Sequence, residues 1–401
     1  MQWPGFLAAL EHRGFRLLWA GAFLSSIGTW VQDVALSWLI HTQTGDPLYL
    51  GLRRFAQDMP LLALMLVGGA FADRMDRRMI LLVSQILQMS LAALLAFLYF
   101  TGHLGIVAIL VIAFLAGLTQ SQSAPTYQAV LPTLVSRDRI ANAVALNSLQ
   151  FNLSRAIGPV IAGLLLAKVG TGVCFLTNTG SFTLVILVLL SIRFSSPSKA
   201  TGSFAQTLRD GIHHVTRTPI LRTLTLLVAA ASFLGFPLMT FLPTFAGDVL
   251  KTGASGYSLL LTSLGVGAII GAVTTAQRGS AAGRGRLTLV SLAVFGVVTM
   301  GAVLSRWQWV SMVFLVGSGY TLTTALSTIS SLVQEHTPDE LRGRVMSIFG
   351  LAFRGGLPIG SLIAGVLVRR AGVPAVMAVS SALLLVVAVW LLLRHRDLRA
   401  L

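Results

Sequence analysis

Charge is the first thing this chain lacks. Asp, Glu, Lys and Arg make up 10% of its 401 residues, against about 25% in an average soluble domain. So few charges cannot cover a surface that faces water, and the mean hydropathy of +0.82 places much of that surface against lipid. Cysteine is almost missing as well. The single Cys174 excludes an internal disulfide and leaves no cysteine set for a metal. Acidic residues are outnumbered 13 to 29 by Lys and Arg, a formal net charge of +16. On a soluble protein that excess would suggest nucleic acid. Here the basic residues fall in short gaps between apolar runs, which is the pattern of membrane topology and of contact with anionic lipid head groups. No nucleic-acid partner is expected. No Walker-type phosphate loop is present, and His213 and His214 have no ligand set nearby, so neither ATP-driven pumping nor any metal or cofactor is expected.

The chain is rich in long apolar runs. Twelve are long enough for a helix of about 20 residues to cross a bilayer: 15–40, 49–72, 79–100, 105–128, 140–167, 172–193, 220–246, 255–277, 287–305, 308–333, 344–368 and 374–394. They are too long and too uniformly apolar for barrel strands, so the expected fold is an all-α membrane protein. The first run exceeds the apolar core of a signal peptide, about 7–15 residues, and is read as a retained span. Arg and Lys concentrate in alternate gaps, among them Arg137, Arg139, Arg217, Arg278, Arg286 and Arg342, and at both termini. That bias predicts cytoplasmic termini in a multi-pass cell (inner) membrane protein. Trp19, Trp38, Trp307 and Trp390 stand near span ends, where interfacial anchors are found. The longest polar gap, 194–219, combines a Ser-rich linker with Phe204, Leu208, Ile212 and Val215 at helical spacing, which predicts an amphipathic helix on the inner leaflet. It separates an N-terminal six-span bundle, 1–193, from a C-terminal one, 220–401. An offset of 202 residues lays Gly158 on Gly360 and Gly163 on Gly365, a sign of parallel internal repetition.

Between the second and third runs stand Gly69, Asp73, Arg74, Asp76, Arg77 and Arg78. Their spacing resembles the loop 2–3 motif of the major facilitator superfamily, with Asp76 where that pattern usually has Gly. The Asp form is similar to the exporter branch that contains enterobactin and macrolide exporters. The resemblance implies two six-helix bundles around a central cavity that opens alternately to each side, and a monomer; no nucleophile–base or metal constellation appears in the sequence, so no enzymatic activity is expected. The resemblance further implies a cytoplasmic latch in which Asp73 meets the end of span 11 near Arg344. Gly158, Pro159 and Gly163 resemble part of a span-5 motif associated with antiporters, although Ala162 replaces one of its glycines. Ordinary small-residue packing explains these three equally well.

Ionisable groups inside a bilayer are costly and mark function. Asp33 in span 1 and Asp58 in span 2 are the proton-coupling candidates, Asp33 first. Ser26, Trp30, Asp33 and Ser37 recur at i, i+4, i+7 and i+11 and so share one helix face. Arg54 lies four residues before Asp58 and offers it a purely structural partner. Trp30, Gln120, Gln150, Asn152 and Arg155 are cavity candidates in the first half; Tyr320, Thr324 and Arg354 are candidates in the second, with Ser331 extending the polar face of span 10. The function expected is proton-coupled export of a small, partly apolar molecule, drug-like or siderophore-like, with protons and membrane lipids as the other partners. A lysophospholipid carrier of the same superfamily is the nearest alternative. A membrane sensor or assembly partner that has lost transport is an alternative of another class. The glycines at 265, 267 and 271 echo a dinucleotide fingerprint but follow no strand, which reads as helix packing.

Overall fold

The computed structural model describes residues 5–67, 76–192, 204–278 and 283–395. Among these residues there is no strand, as hydrocarbon demands of a chain that must close its backbone hydrogen bonds within each segment. The helices are α1 (Arg13–Thr44), α2 (Leu48–Val67), α3 (Arg77–Phe100), α4 (Ile106–Val130), α5 (Ile140–Lys168), α6 (Thr171–Ser191) and α7 (Phe204–Arg217). They continue with α8 (Pro219–Gly235), α9 (Pro237–Thr244), α10 (Gly253–Arg278), α11 (Arg284–Leu304), α12 (Gln308–Glu335) and α13 (Asp339–Arg394). Short 3-10 turns and one π-helical turn, Phe245–Val249, join them.

The twelve predicted runs fall on helix wherever they are described, apart from single residues at some ends and a break at Phe236. Nine segments among the described residues are long and apolar enough to cross a membrane. The last of them, α13, carries two predicted runs, because Gly372 breaks it with φ 79° and ψ 161°. That left-handed φ suits glycine alone, and Pro374 follows two residues on. The seventh predicted run is divided instead. Pro237 lacks an N–H to continue α8, so α9 starts afresh after Phe236. The helices α1 and α2 fall outside the nine; α2 holds Arg53, Arg54 and Asp58 within 20 residues.

The chain forms two compact units, one of Met1–Leu39 with Ala63–Thr201 and the other of Ile40–Leu62 with Gly202–Leu401. In the first, α3 packs on α4 and α6, and Leu18, Leu81, Val130, Val185 and Leu189 form one core. In the second, α12 packs on α10 and α11, and α13 on α8 and α11, around Leu224, Val228, Phe295, Ile329 and Leu384. Large apolar side chains remain outside: Val107 is 71% exposed, Val313 72% and Leu393 70%. A surface this apolar is stable only against lipid. Helix backbones touch through glycines. A Cβ at Gly267 would lie 2.9 Å from the Tyr320 nitrogen, and one at Gly319 would strike the Leu264 carbonyl. Gly267 and Gly271 are therefore part of a helix-packing seam.

The linker helix α7 lies on the start of α13. Gly211 faces the Arg344 carbonyl and Val215 joins the core, while Ile212 stays 46% exposed. The side chains of Phe204 and Leu208 lie outside the described residues.

Candidate functional site

The polar interior of the first unit is organised by α1, held between α5 and α6. Gln150, only 4% exposed, donates its Nε2 to the Ser26 hydroxyl at 2.9 Å. Gly158 sits directly against the Trp30 side chain, where any Cβ would collide. On the other flank Asn178 of α6 donates to the Gln32 side chain at 2.9 Å. Ser181 donates to Asn178 and lies against Gly28. Trp19 donates its indole N–H to the Leu146 carbonyl at 2.9 Å, an intramolecular tie within the bundle. Asp33 is half-buried one turn beyond Trp30. The structure thus brings Ser26 to Gln150 and Trp30 to Gly158. It leaves Gln120 exposed on α4, turns the Asn152 amide back to the Ser148 carbonyl of its own helix at 2.9 Å, and keeps Arg155 half-buried on α5. Gly158, Pro159 and Gly163 are all buried in α5. The residues Gln32, Asn178 and Ser181 escaped the sequence reading, because each alone is an ordinary polar side chain in an apolar helix.

In the second unit Asp58 forms an ion pair with Arg54, Oδ2 to Nε 2.7 Å. The turn between α1 and α2 belongs to this unit too. Gly45 takes φ 58°, and Asp46 caps α2 by accepting the Leu48 N–H at 3.0 Å. The other Asp46 oxygen faces Arg369 of α13 at 3.3 Å, and His41 stands 3.6 Å from Asp248. Between these contacts a Cβ at Gly51 would lie 3.4 Å from the Gly365 Cα, so α2 and α13 meet nearly backbone to backbone.

Of the loop 2–3 motif, Gly69, Asp73 and Arg74 lie outside the described residues. Asp76 is the N-cap of α3, accepting the Arg78 N–H at 2.9 Å. A carboxylate in that place satisfies an orphan donor and complements the helix dipole. The Arg78 guanidinium reaches the last turn of α6 and donates to the Leu189 and Leu190 carbonyls at 3.0 and 2.9 Å. Arg77 opens α3. Arg344 is held by Asp210 of the linker helix at 2.8 Å.

The sequence candidates of α12 take different places. Thr324 is enclosed at 1% exposure, and the Tyr320 backbone lies in the glycine seam. Arg354 on α13 is exposed. A cavity of about 660 Å³ opens further along α12, lined by Ser327, Ser330, Ser331 and Gln334 and faced by Phe349 and Phe353 of α13.

A family of transmembrane secretion effectors matches residues 5–400. The chain is 28% identical to the multidrug efflux pump Tap of Mycolicibacterium fortuitum, over 95% of this chain and 97% of that protein. It is 26% identical to the enterobactin exporter EntS of Shigella boydii, over 97% and 93% of the two chains. Among solved structures, the nucleoside transporter NupG superposes with a TM-score of 0.74, covering 96% of this chain and 99% of that one at 12% identity. With two helical units, a lipid-facing apolar surface and a match from end to end, the chain defines itself as a transporter and not an enzyme. It belongs to the transmembrane secretion effector family of the major facilitator superfamily.

Proposed function

We propose that this protein exports a small, partly apolar molecule from the cytoplasm by alternating access, in exchange for protons. The match to secretion effectors over residues 5–400 carries the reading, and the relatives named for drug efflux and enterobactin export support it. Asp33 is the proposed proton carrier. It lies half-buried in a helix that α5 and α6 hold by side-chain hydrogen bonds. Acidic side chains within membrane helices are rare and mark ion and proton pathways. Asp58 is assigned a structural part, because Arg54 already neutralises it at 2.7 Å. The Arg-rich gaps support cytoplasmic termini. By span count the bundles are taken as 1–193 and 220–401 joined by 194–219, with residues 40–62 belonging to the second compact unit, in a monomer.

The test uses inverted membrane vesicles with a pH-sensitive dye and a panel of chemically diverse compounds. A transported compound should drive proton release from the vesicle lumen, and Asp33→Asn should abolish that release. Full-rate, pH-driven transport by Asp33→Asn overturns the coupling assignment.

A further inference from the structure

We infer that the cavity between α12 and α13 is the loading site for the transported molecule, and that it selects an uncharged amphiphile with one hydrogen-bonding edge over a carboxylate-rich anion. The inference rests on the exporter reading and names the substrate class for it.

The cavity holds about 660 Å³, within the range of about 300–1,000 Å³ typical of sites for drug-sized ligands. Its two walls differ in chemistry. Ser327, Ser330, Ser331 and Gln334 follow i, i+3, i+4 and i+7, so one stripe of α12 lines the same space with three hydroxyls and the Gln334 side chain, whose amide N–H turns back to the Ser330 carbonyl at 3.2 Å and leaves its Oε1 to accept from a ligand. Across from it stand the Phe349 and Phe353 rings, one turn apart on α13. Phe353 is fixed in place. Its ring packs edge-on to Phe236 at 5.4 Å, and its carbonyl accepts the Ser232 hydroxyl. A flat apolar body against the rings, with polar atoms along one edge, matches both walls.

The charges at the mouth explain the selectivity. Arg284 pairs with Glu335 and also donates to the Ser331 hydroxyl at 3.0 Å, leaving the Ser331 O–H proton to donate. Arg342 pairs with Asp339 and reaches the Gln334 carbonyl at 3.4 Å. Each of these arginines therefore has its own carboxylate. A ligand carboxylate would have to displace Glu335 or Asp339 from these arginines, whereas a neutral ligand leaves both pairs intact. The mouth also lies at the α12 to α13 junction, on the side that the Arg bias assigns to the cytoplasm, where an exporter takes up its cargo.

The experiment measures binding of 7-diethylaminocoumarin and of its 3-carboxylate to the purified full-length protein by fluorescence titration. The neutral dye should bind at least about tenfold more tightly. Ser331→Ala and Gln334→Ala should each weaken it about three- to tenfold, the cost of a lost neutral hydrogen bond, and Ser327→Phe should abolish binding by filling the cavity. Glu335→Gln frees Arg284 and should narrow or reverse the preference for the neutral dye. Melting curves for all four variants accompany the titrations, and the polar-to-Ala pair carries the test should Ser327→Phe misfold. Equal or tighter binding of the carboxylate, unchanged affinity in the variants, no binding of either dye, or displacement of the dye by lysophosphatidylcholine alone would each overturn the inference. Proton release lost in Asp33→Asn while the cavity variants bind as the unaltered protein does would remove this site and leave the exporter reading standing.

Discussion

At the residue scale, the clearest case is Asp76. The family pattern usually has Gly at its place, yet here the side chain caps α3. Asp76→Ala should lower stability by about 1 kcal/mol, and Asp76→Asn, which also caps, should restore most of it; thermal melts in detergent decide this. Arg54 and Asp58 form a pair whose parts depend on each other. Removing one partner strands a partly buried charge. Asp58→Asn alone should therefore destabilise more than the double change Arg54→Leu with Asp58→Asn, while proton-driven transport survives in the double variant. Failure of transport in that double variant would restore Asp58 as a coupling residue. Cys174 has no exposed surface and sits in the core of α6. Maleimide should label it only after unfolding, so labelling of the native protein would contradict its placement.

At the scale of elements, the internal repeat is visible in how helices touch. Gly158 of α5 packs on Trp30 of α1, and Gly360 of α13 packs on the Phe233 backbone of α8. The offset of 202 residues relates Gly158 to Gly360 and Trp30 to Ser232, the neighbour of Phe233. The same pairing of spans thus occurs once in each unit. Close approach through small residues is how helices bind each other in lipid, where no hydrophobic force drives them together. The seam of α10 and α12 gives a direct test. Gly319→Leu must force the Leu264 backbone away, whereas Gly317 faces Val298 at an ordinary 3.6 Å. Gly319→Leu should lose the monodisperse folded peak in size-exclusion chromatography, and Gly317→Leu should retain it.

At the scale of the whole molecule, two helical units with little charge present a large apolar surface to lipid. Ser327→Phe should lose export of a neutral dye while melting as the unaltered protein does; retained export would remove the α12 cavity from cargo loading. The span pattern, the repeat and the loop 2–3 motif were legible in sequence because each is written in local spacing. The candidate site was legible only in part. Ser26, Trp30 and Gln150 emerged from helical spacing and polarity, but Gln32, Asn178 and Ser181 did not. Nothing in a single helix distinguishes a polar side chain that ties two helices from one that faces a cavity.

Composition alone decided the solvent: 10% charged residues in a chain of twelve long apolar runs admit only helices in lipid. Periodicity alone decided which residues share a helix face. Tertiary structure decided what each face meets. It enclosed Thr324, joined Asp46 to Arg369, set Asp210 on Arg344, and opened the cavity beside Ser327 and Gln334. The physical reason is that helix periodicity is a property of neighbours in the chain, whereas ion pairs and cavities arise mostly between residues far apart in sequence, and the packing of helix on helix brings those together.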